Sequence, residues 1–426
     1  MAIIRLVVSN FKSFDKIDVK IGNFGIIIGA NASGKSNFIQ VFRFMRDILN
    51  FGLENAISMQ GGLEYLVNAN IGPAQDIRIE ITSDREEKHI PPLLPREKSE
   101  HPGISTFSTV YRFALRANDK KTAFEIVEDS LIQRCNFHYY TMYRNKPTIK
   151  RDAGKGRVIL CRDKGKAKLR LEPPRGSRIK AEEIFQLYAT SNMIEQYKLG
   201  AKELLMTTPC LYFVGRSMLQ TLKGIAIYDF DPKLSKKPQA ITGRAKLEED
   251  GSNLAVALSS LLRSGTKKRK FHNLICDLLP STGEIKTQEL ANTILFKIKE
   301  TYFDGQFFPA FLVSDGTINL TALTMALFFE KNEFTIIEEP ERNIHPHLIS
   351  KVVEFMREAS LDTQILTTTH NPELIKHASL DELFLVSRNR DGNSSIVKPA
   401  KMREVKTFLK NKLSLEELFT ENLLEV

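Results

Sequence analysis

The chain has 426 residues, 42% of them hydrophobic, which suits a globular protein of two or three domains with a substantial core. No apolar run is long enough to cross a membrane, and four scattered cysteines (Cys135, Cys161, Cys210, Cys276), with neither a C-x-x-C pair nor a leader, point to a reducing cytoplasm. The net charge is +10, and much of it gathers in one stretch of the chain.

In chain order, Leu6-Val7-Val8-Ser9-Asn10-Phe11-Lys12-Ser13-Phe14 reads as a strand and a turn. Gly25-Ile26-Ile27-Ile28 reads as a buried strand, and Asn37–Met45 as a helix apolar on most sides. Between them, Gly29-Ala30-Asn31-Ala32-Ser33-Gly34-Lys35-Ser36 fits G-x-x-x-x-G-K-S/T, in the strand–loop–helix context that confirms a phosphate loop. Its glycines let backbone N–H groups close around phosphate oxygens, and the helix N-terminus adds partial positive charge. Lys35 is expected on the β- and γ-phosphates and Ser36 on Mg²⁺, with Asn31, Ala32, Ser33 and Asn37 lining the nucleotide.

Residues 51–75 read as a helical or loop connection. From Asp76 to about Pro173 short period-two runs follow: Ile77–Ile81, Ser108–Leu115, Ala123–Val127 and Val158–Leu160. They predict antiparallel β-structure, interrupted by a proline-rich loop over 90–102. Between Arg144 and Lys180 stand 14 Lys or Arg against three acids, preceded by the aromatic cluster Phe137–Tyr143. Positive charge beside aromatics suits a nucleic-acid surface; a solvated basic hairpin or a surface for an acidic protein has the same composition. A second cluster, Lys267–Lys270, is too short to decide anything. Helical patterns run from Ala181 to about Leu279, clearest over Glu182–Tyr188 and Asn253–Leu262.

Further on, Ser314-Asp315-Gly316-Thr317 opens the helical pattern Ile318–Leu327. Phe334-Thr335-Ile336-Ile337-Glu338-Glu339-Pro340-Glu341 is an apolar strand ending in carboxylates, and Gln364–Pro372 is a strand ending in His370. Leu383–Val386 reads as a closing strand, followed by Ser395–Val397 and a terminal helix.

Phosphate loop, Ser-Asp-Gly-Thr helix start, acidic strand end and histidine strand end, in that order, resemble the ATPase heads of the ABC superfamily, in its SMC, RecF and OLD-like branch. The Leu6–Phe14 segment and the run Glu338–Pro346 resemble that branch's first strand and its acidic strand end. The fold the resemblance implies is α/β: a P-loop NTPase head with an antiparallel β-lobe and a short helical insert. It divides the chain into 1–75 (core with phosphate loop), 76–180 (β-lobe with basic segment), 181–300 (helical insert) and 301–426 (remainder of the core).

The resemblance also implies roles. Glu338 holds Mg²⁺ with Ser36, Glu339 orients or deprotonates the attacking water, and His370 contacts the γ-phosphate and that water. Ser314, with Asp315 and Gly316, faces a phosphate bound by a second copy, so ATP joins two heads into a dimer or higher homo-oligomer. Lys12 approaches a phosphate by a weaker carry-over. Three departures stand out: Glu338 where Asp is usual, Ser-Asp-Gly-Thr where Ser-Gly-Gly-Gln is usual, and no distinctive glutamine loop among Gln60, Gln133 and Gln186. His345 and His347 with Glu341 have the chemistry of a metal site, but the segment resembles the family's interface loop.

The helical insert lacks the sustained heptads of SMC proteins, and the last residues hold no nuclease pattern. These features resemble compact stand-alone ATPases of bacterial anti-phage defence, which act with a separate nuclease or toxin. A RecF-type accessory ATPase and an ATP-binding scaffold with little turnover are the alternatives.

Overall fold

Two kinds of apolar pattern in the sequence become two kinds of strand pairing, parallel and antiparallel. The structure, a computed structural model, describes all residues except 1–2, 90–99, 144–145, 178, 180–183, 185–193, 195, 211–213, 304, 411–413 and 422–426. The strands in chain order are β1 (Ile3–Phe11), β2 (Phe14–Lys20), β3 (Phe24–Ile28), β4 (Ile77–Ser83), β5 (Glu87–His89), β6 (His101–Ala117), β7 (Phe124–Tyr143), β8 (Lys146–Asp163), β9 (Lys166–Glu172), β10 (Ile225–Tyr228), β11 (Gln239–Ala240), β12 (Thr282–Leu290), β13 (Thr293–Glu300), β14 (Phe307–Pro309), β15 (Phe334–Glu338), β16 (Gln364–Thr368), β17 (Leu383–Arg388) and β18 (Ser394–Val397). The chain forms two compact units. The first is Met1–Gly22, Ser36–Lys223 and Arg388–Ile396; the second is Asn23–Lys35, Gly224–Ser387 and Val397–Val426.

In the second unit the parallel order is β10-β15-β16-β3-β17. Strands β3, β10 and β16 are buried at every residue, as parallel strands covered on both faces must be. The helices Leu254–Leu262, Gly265–Leu278, Asp315–Phe328 and Pro346–Ala359 bury Leu258, Phe271, Ile318 and Val353 in one core with Ile26, Ile28, Ile337 and Ile365. A small antiparallel sheet, β11-β13-β12 with β14 on β13, joins the same unit.

In the first unit β2, β1, β4, β6, β7, β8 and β9 follow one another antiparallel. Strands β4 to β9 lie in the stretch 76–180 where an antiparallel β-lobe is expected, and β6, β7 and β8 are far longer than the short runs that announced them. The helix Lys35–Phe51 packs its phenylalanines on the first two strands, with ring centroids of Phe11 and Phe44 at 5.9 Å and of Phe14 and Phe38 at 6.4 Å. Residues 200–207 are pinned to the lobe by buried Asp129, whose carboxylate accepts from Tyr111 Oη and from Leu205 N, each at 2.7 Å. Arg162 adds hydrogen bonds to the carbonyls of Gly200 and Glu203.

Burial pushes the Asp129 carboxyl up to about 7, against the hydrogen bonds from Leu205 and Tyr111 and the charge of Arg162. A carboxyl raised on folding contributes stability that is complete below its unfolded value and is lost as pH climbs through the folded one. Wild-type stability in denaturant titrations should therefore fall between about pH 4 and about pH 7. Asp129→Asn should be less stable throughout, because its amide presents a donor to one of two donors, and should show a flatter pH slope. An unchanged slope would remove Asp129 as the titrating group.

The segment 181–300 departs from the expected helical insert. Residues up to Lys223 cluster with the β-lobe and those from Gly224 with the parallel sheet. The described part includes β10, β11, β12 and β13. The run Ile225-Ala226-Ile227-Tyr228 is too short for periodicity to separate a buried strand from a helix, and partners far along the chain decide it. The expected helix Asn253–Leu262 is present as Leu254–Leu262. The helix expected over Glu182–Tyr188 and the loop over 90–102 fall mostly outside the described residues, as does Gln186. No described helix is long and apolar enough to cross a membrane, and the four cysteines are free thiols.

Candidate active site

Past the end of β3 the backbone turns through Gly29 (φ 151°), Ala32 (φ 61°) and Gly34 (φ 116°). A Cβ on Gly29 would lie 2.2 Å from the Val386 carbonyl oxygen, so this close approach of loop to β17 admits only glycine. Lys35 Nζ donates to the carbonyls of Gly29 (2.7 Å) and Ala30 (2.9 Å), so the loop wraps around its own lysine. Burial pulls the Lys35 ammonium below its ordinary value, and the charge of Glu339 works against that. A curved loop of this kind, with an ammonium and the N-terminus of a 17-residue helix, fits an anion such as a phosphate chain. Hydroxyl and carboxylate oxygens, as on Ser36 and Glu338, are hard donors that suit Mg²⁺.

Strand β15 ends at Glu338, and Glu339 takes left-handed backbone (φ 45°) with its N–H on the Thr368 carbonyl at 3.1 Å. That places Glu339 at the carboxyl end of β15, beside the end of β16, after which His370 follows. His370 Nδ1 lies 2.7 Å from Glu339 Oε1. Arg342 Nη2 donates to Glu339 Oε2 at 3.1 Å, and its Nη1 to Asp229 Oδ1 at 2.9 Å. Burial raises the Glu339 carboxyl, but the Arg342 hydrogen bond and the charges of His370 and Arg342 outweigh it, leaving the group below its ordinary value. Glu341 faces inward, accepts from the Thr369 hydroxyl and is raised by burial.

Ser314 caps the helix Asp315–Phe328, its Oγ accepting from Thr317 N at 3.2 Å. Asp315 is paired with Lys236, which neutralises the charge by which this helix start departs from the commoner pattern. Gly316 sits where a Cβ would be 2.5 Å from the Asn343 carbonyl, and Asn319 Nδ2 donates to the Arg342 carbonyl at 2.7 Å. The capped helix thus grips the loop that follows the acidic strand end.

Among the residues singled out in the sequence, the second unit holds Gly29–Lys35, Ser314, Asp315, Gly316, Glu338, Glu339 and His370; Lys12, Ser36 and Asn37 belong to the first. Asn37 Nδ2 donates to Ser13 Oγ at 2.8 Å, and Lys12 holds a left-handed turn (φ 49°) with its N–H on Leu66 O. Burial lowers the Lys12 ammonium. Gln60 donates to Gln40, and Gln133 is buried against Glu87. His345 and His347 stand with their Nδ1 atoms 2.6 Å apart, while Glu341 is engaged with Thr369. No group of three or more metal-binding side chains occurs among the described residues. Arg342, Asp229 and Lys236 escaped the sequence reading. Each is an ordinary surface charge until the fold supplies its partner.

Residues 25–178 and 205–376 match the family described as "AAA domain, putative AbiEii toxin, Type IV TA system". No curated protein matches the chain. Among solved structures it is similar to an SMC head bound to the C-winged helix domain of ScpA, at 15% identity and TM-score 0.50, covering 93% of this chain and 97% of that one. It is also similar to an SMC head with an extended coiled coil bound to the C-terminal domain of ScpA from Pyrococcus furiosus (15% identity, TM-score 0.48, 96% and 99% covered). An SMC head domain from Thermotoga maritima aligns at 14% identity and TM-score 0.39, over 93% and 99%. At such identity the first likeness speaks to fold, that of an SMC-type P-loop head.

Proposed function

Because the chain belongs to this AAA-domain family and has the fold of an SMC-type ATPase head, we propose that it binds and hydrolyses ATP with Mg²⁺ and dimerises around the nucleotide. The carrying observation is the Glu339–His370 pair at the carboxyl ends of neighbouring parallel strands, the edge where open α/β sheets bind ligands. In this reading Lys35 and the amides of Gly29–Lys35 hold the phosphates, and Glu338 holds the metal. Glu339 orients a water and takes its proton, and His370 steadies the carboxylate. Bound Mg²⁺·ATP supplies the scissile phosphoanhydride and the charge neutralisation that makes it labile. Ser314 and the helix behind it serve the site of a second copy. The neighbouring Phe311 and Leu312, 56% and 66% exposed, favour a face that another molecule covers.

The output of such a head lies with a separate effector, in keeping with the toxin–antitoxin wording of the family description and with a role in anti-phage defence. A specific observation also favours nucleic acid as a trigger. On the β-lobe, Arg134 stands opposite Arg157 and Ile159 opposite Arg170, and the Arg151 guanidinium lies 4.3 Å over the Tyr139 ring. The same surface serves the RecF-type alternative. Lys236 beside Asp315 weighs against the low-turnover scaffold. The proposal is tested by following phosphate release and molar mass of the purified chain with Mg²⁺·ATP. Turnover with an ATP-dependent doubling of mass supports it, and a monomer without turnover overturns it.

A further inference from the structure

We infer that Arg342 is a positioning residue for Glu339 and that Asp229 holds Arg342 to this task. The inference rests on the proposed role of Glu339 as the residue that orients and deprotonates water.

Glu339 needs restraint that its own strand does not provide. It lies past the last residue of β15, its backbone is left-handed, and its carboxylate is partly exposed. A glutamate in that setting has several rotamers, and a misplacement of about 1 Å costs on the order of 10²-fold in rate. Here both oxygens are tied: Oε1 to His370 at 2.7 Å, and Oε2 to Arg342 Nη2 and Nε at 3.1 and 3.4 Å. Oε1, with a single partner, retains a lone pair for a water proton.

Arg342 is itself anchored twice, on different elements. Its Nη1 donates to Asp229, just beyond β10, at 2.9 Å. Its carbonyl accepts from Asn319 on the capped helix, and its N–H donates to the Glu339 carbonyl at 3.0 Å. Asp229 is fixed by its N–H on the Glu249 carbonyl at 2.9 Å. The relay Asp229–Arg342–Glu339 therefore aims the carboxylate from outside its own strand. A planar guanidinium holds both acids with donors in fixed directions, which the ammonium of a flexible lysine does not.

The experiment measures kcat, KM for ATP, ATP affinity and thermal stability of Arg342→Ala, Arg342→Lys, Asp229→Asn and the Ala/Asn double variant, with Glu339→Gln alongside. We expect Arg342→Ala to lose about 10- to 100-fold in kcat with KM, ATP affinity and melting temperature nearly unchanged. Arg342→Lys should recover part of that loss. Asp229→Asn should lose less, and should add nothing in the Arg342→Ala background, because the two act in series. Additive losses, or turnover of Arg342→Ala within about twofold of wild type, would overturn the relay. If Arg342→Ala melts early, Asp229→Asn, on another element, decides: unchanged kcat sinks the inference. Wild-type turnover in Glu339→Gln would instead overturn the underlying assignment of Glu339. An inactive Glu339→Gln beside a fully active Arg342→Ala overturns this inference alone.

Discussion

Glu339→Gln should lose about 10²- to 10⁴-fold in ATP turnover while still binding ATP, the range that removing a general base costs. The substitution keeps the shape of the side chain and an oxygen for Arg342, but it removes the charge that accepts a proton. The amide sits where His370 Nδ1 is 2.7 Å from one carboxylate oxygen, so the local packing changes little. With hydrolysis blocked and binding intact, the nucleotide-joined dimer should accumulate. Light scattering of the variant with and without Mg²⁺·ATP reads this directly. Wild-type turnover, or a variant that stays monomeric with ATP bound, would sink the role given to Glu339.

The second large effect concerns the completeness of one protomer. Lys35→Ala and Ser314→Arg should each be nearly inactive alone, for different reasons. The first lacks the ammonium that the loop Gly29–Lys35 encloses, and the second places a bulky cation where a capped helix start is exposed. In the proposed two-fold dimer each site would take its loop from one copy and its capped helix from the other. A mixed dimer then contains one intact site and one doubly damaged site. Equimolar mixing should restore roughly a quarter of wild-type turnover, half the dimers being mixed and half their sites intact. Both variants must show wild-type melting temperatures. If mixing restores nothing although mixed dimers form, Ser314 does not serve a neighbour's site.

The α/β head and its antiparallel lobe were legible because their signals are local. A loop with glycines at Gly29 and Gly34 and with Lys35-Ser36 can do little else between a buried strand and a helix. The lobe announced itself by alternation, although β6, β7 and β8 run well beyond the alternating pieces that were visible. What misled was the stretch 181–300. Its short apolar runs carry no period, and β10 became a strand only because Phe334–Ile337 lies beside it. The capped start at Ser314 was equally local, with the hydroxyl and its target Thr317 three residues apart.

The sequence by itself determined the phosphate-loop turn, the capped helix start and the acidic strand end, since caps, tight turns and strand ends depend on neighbours a few positions away. Only the tertiary structure decided who meets whom. Arg342 finds Asp229 across 113 residues, Lys236 finds Asp315 across 79, and His370 finds Glu339 across 31. The first and third pairs form because the parallel strands β10, β15 and β16 end on the same side of one sheet, which brings their following loops together. A surface charge carries no mark in sequence of the partner it will meet there, whereas a glycine with positive φ carries its reason in its own backbone.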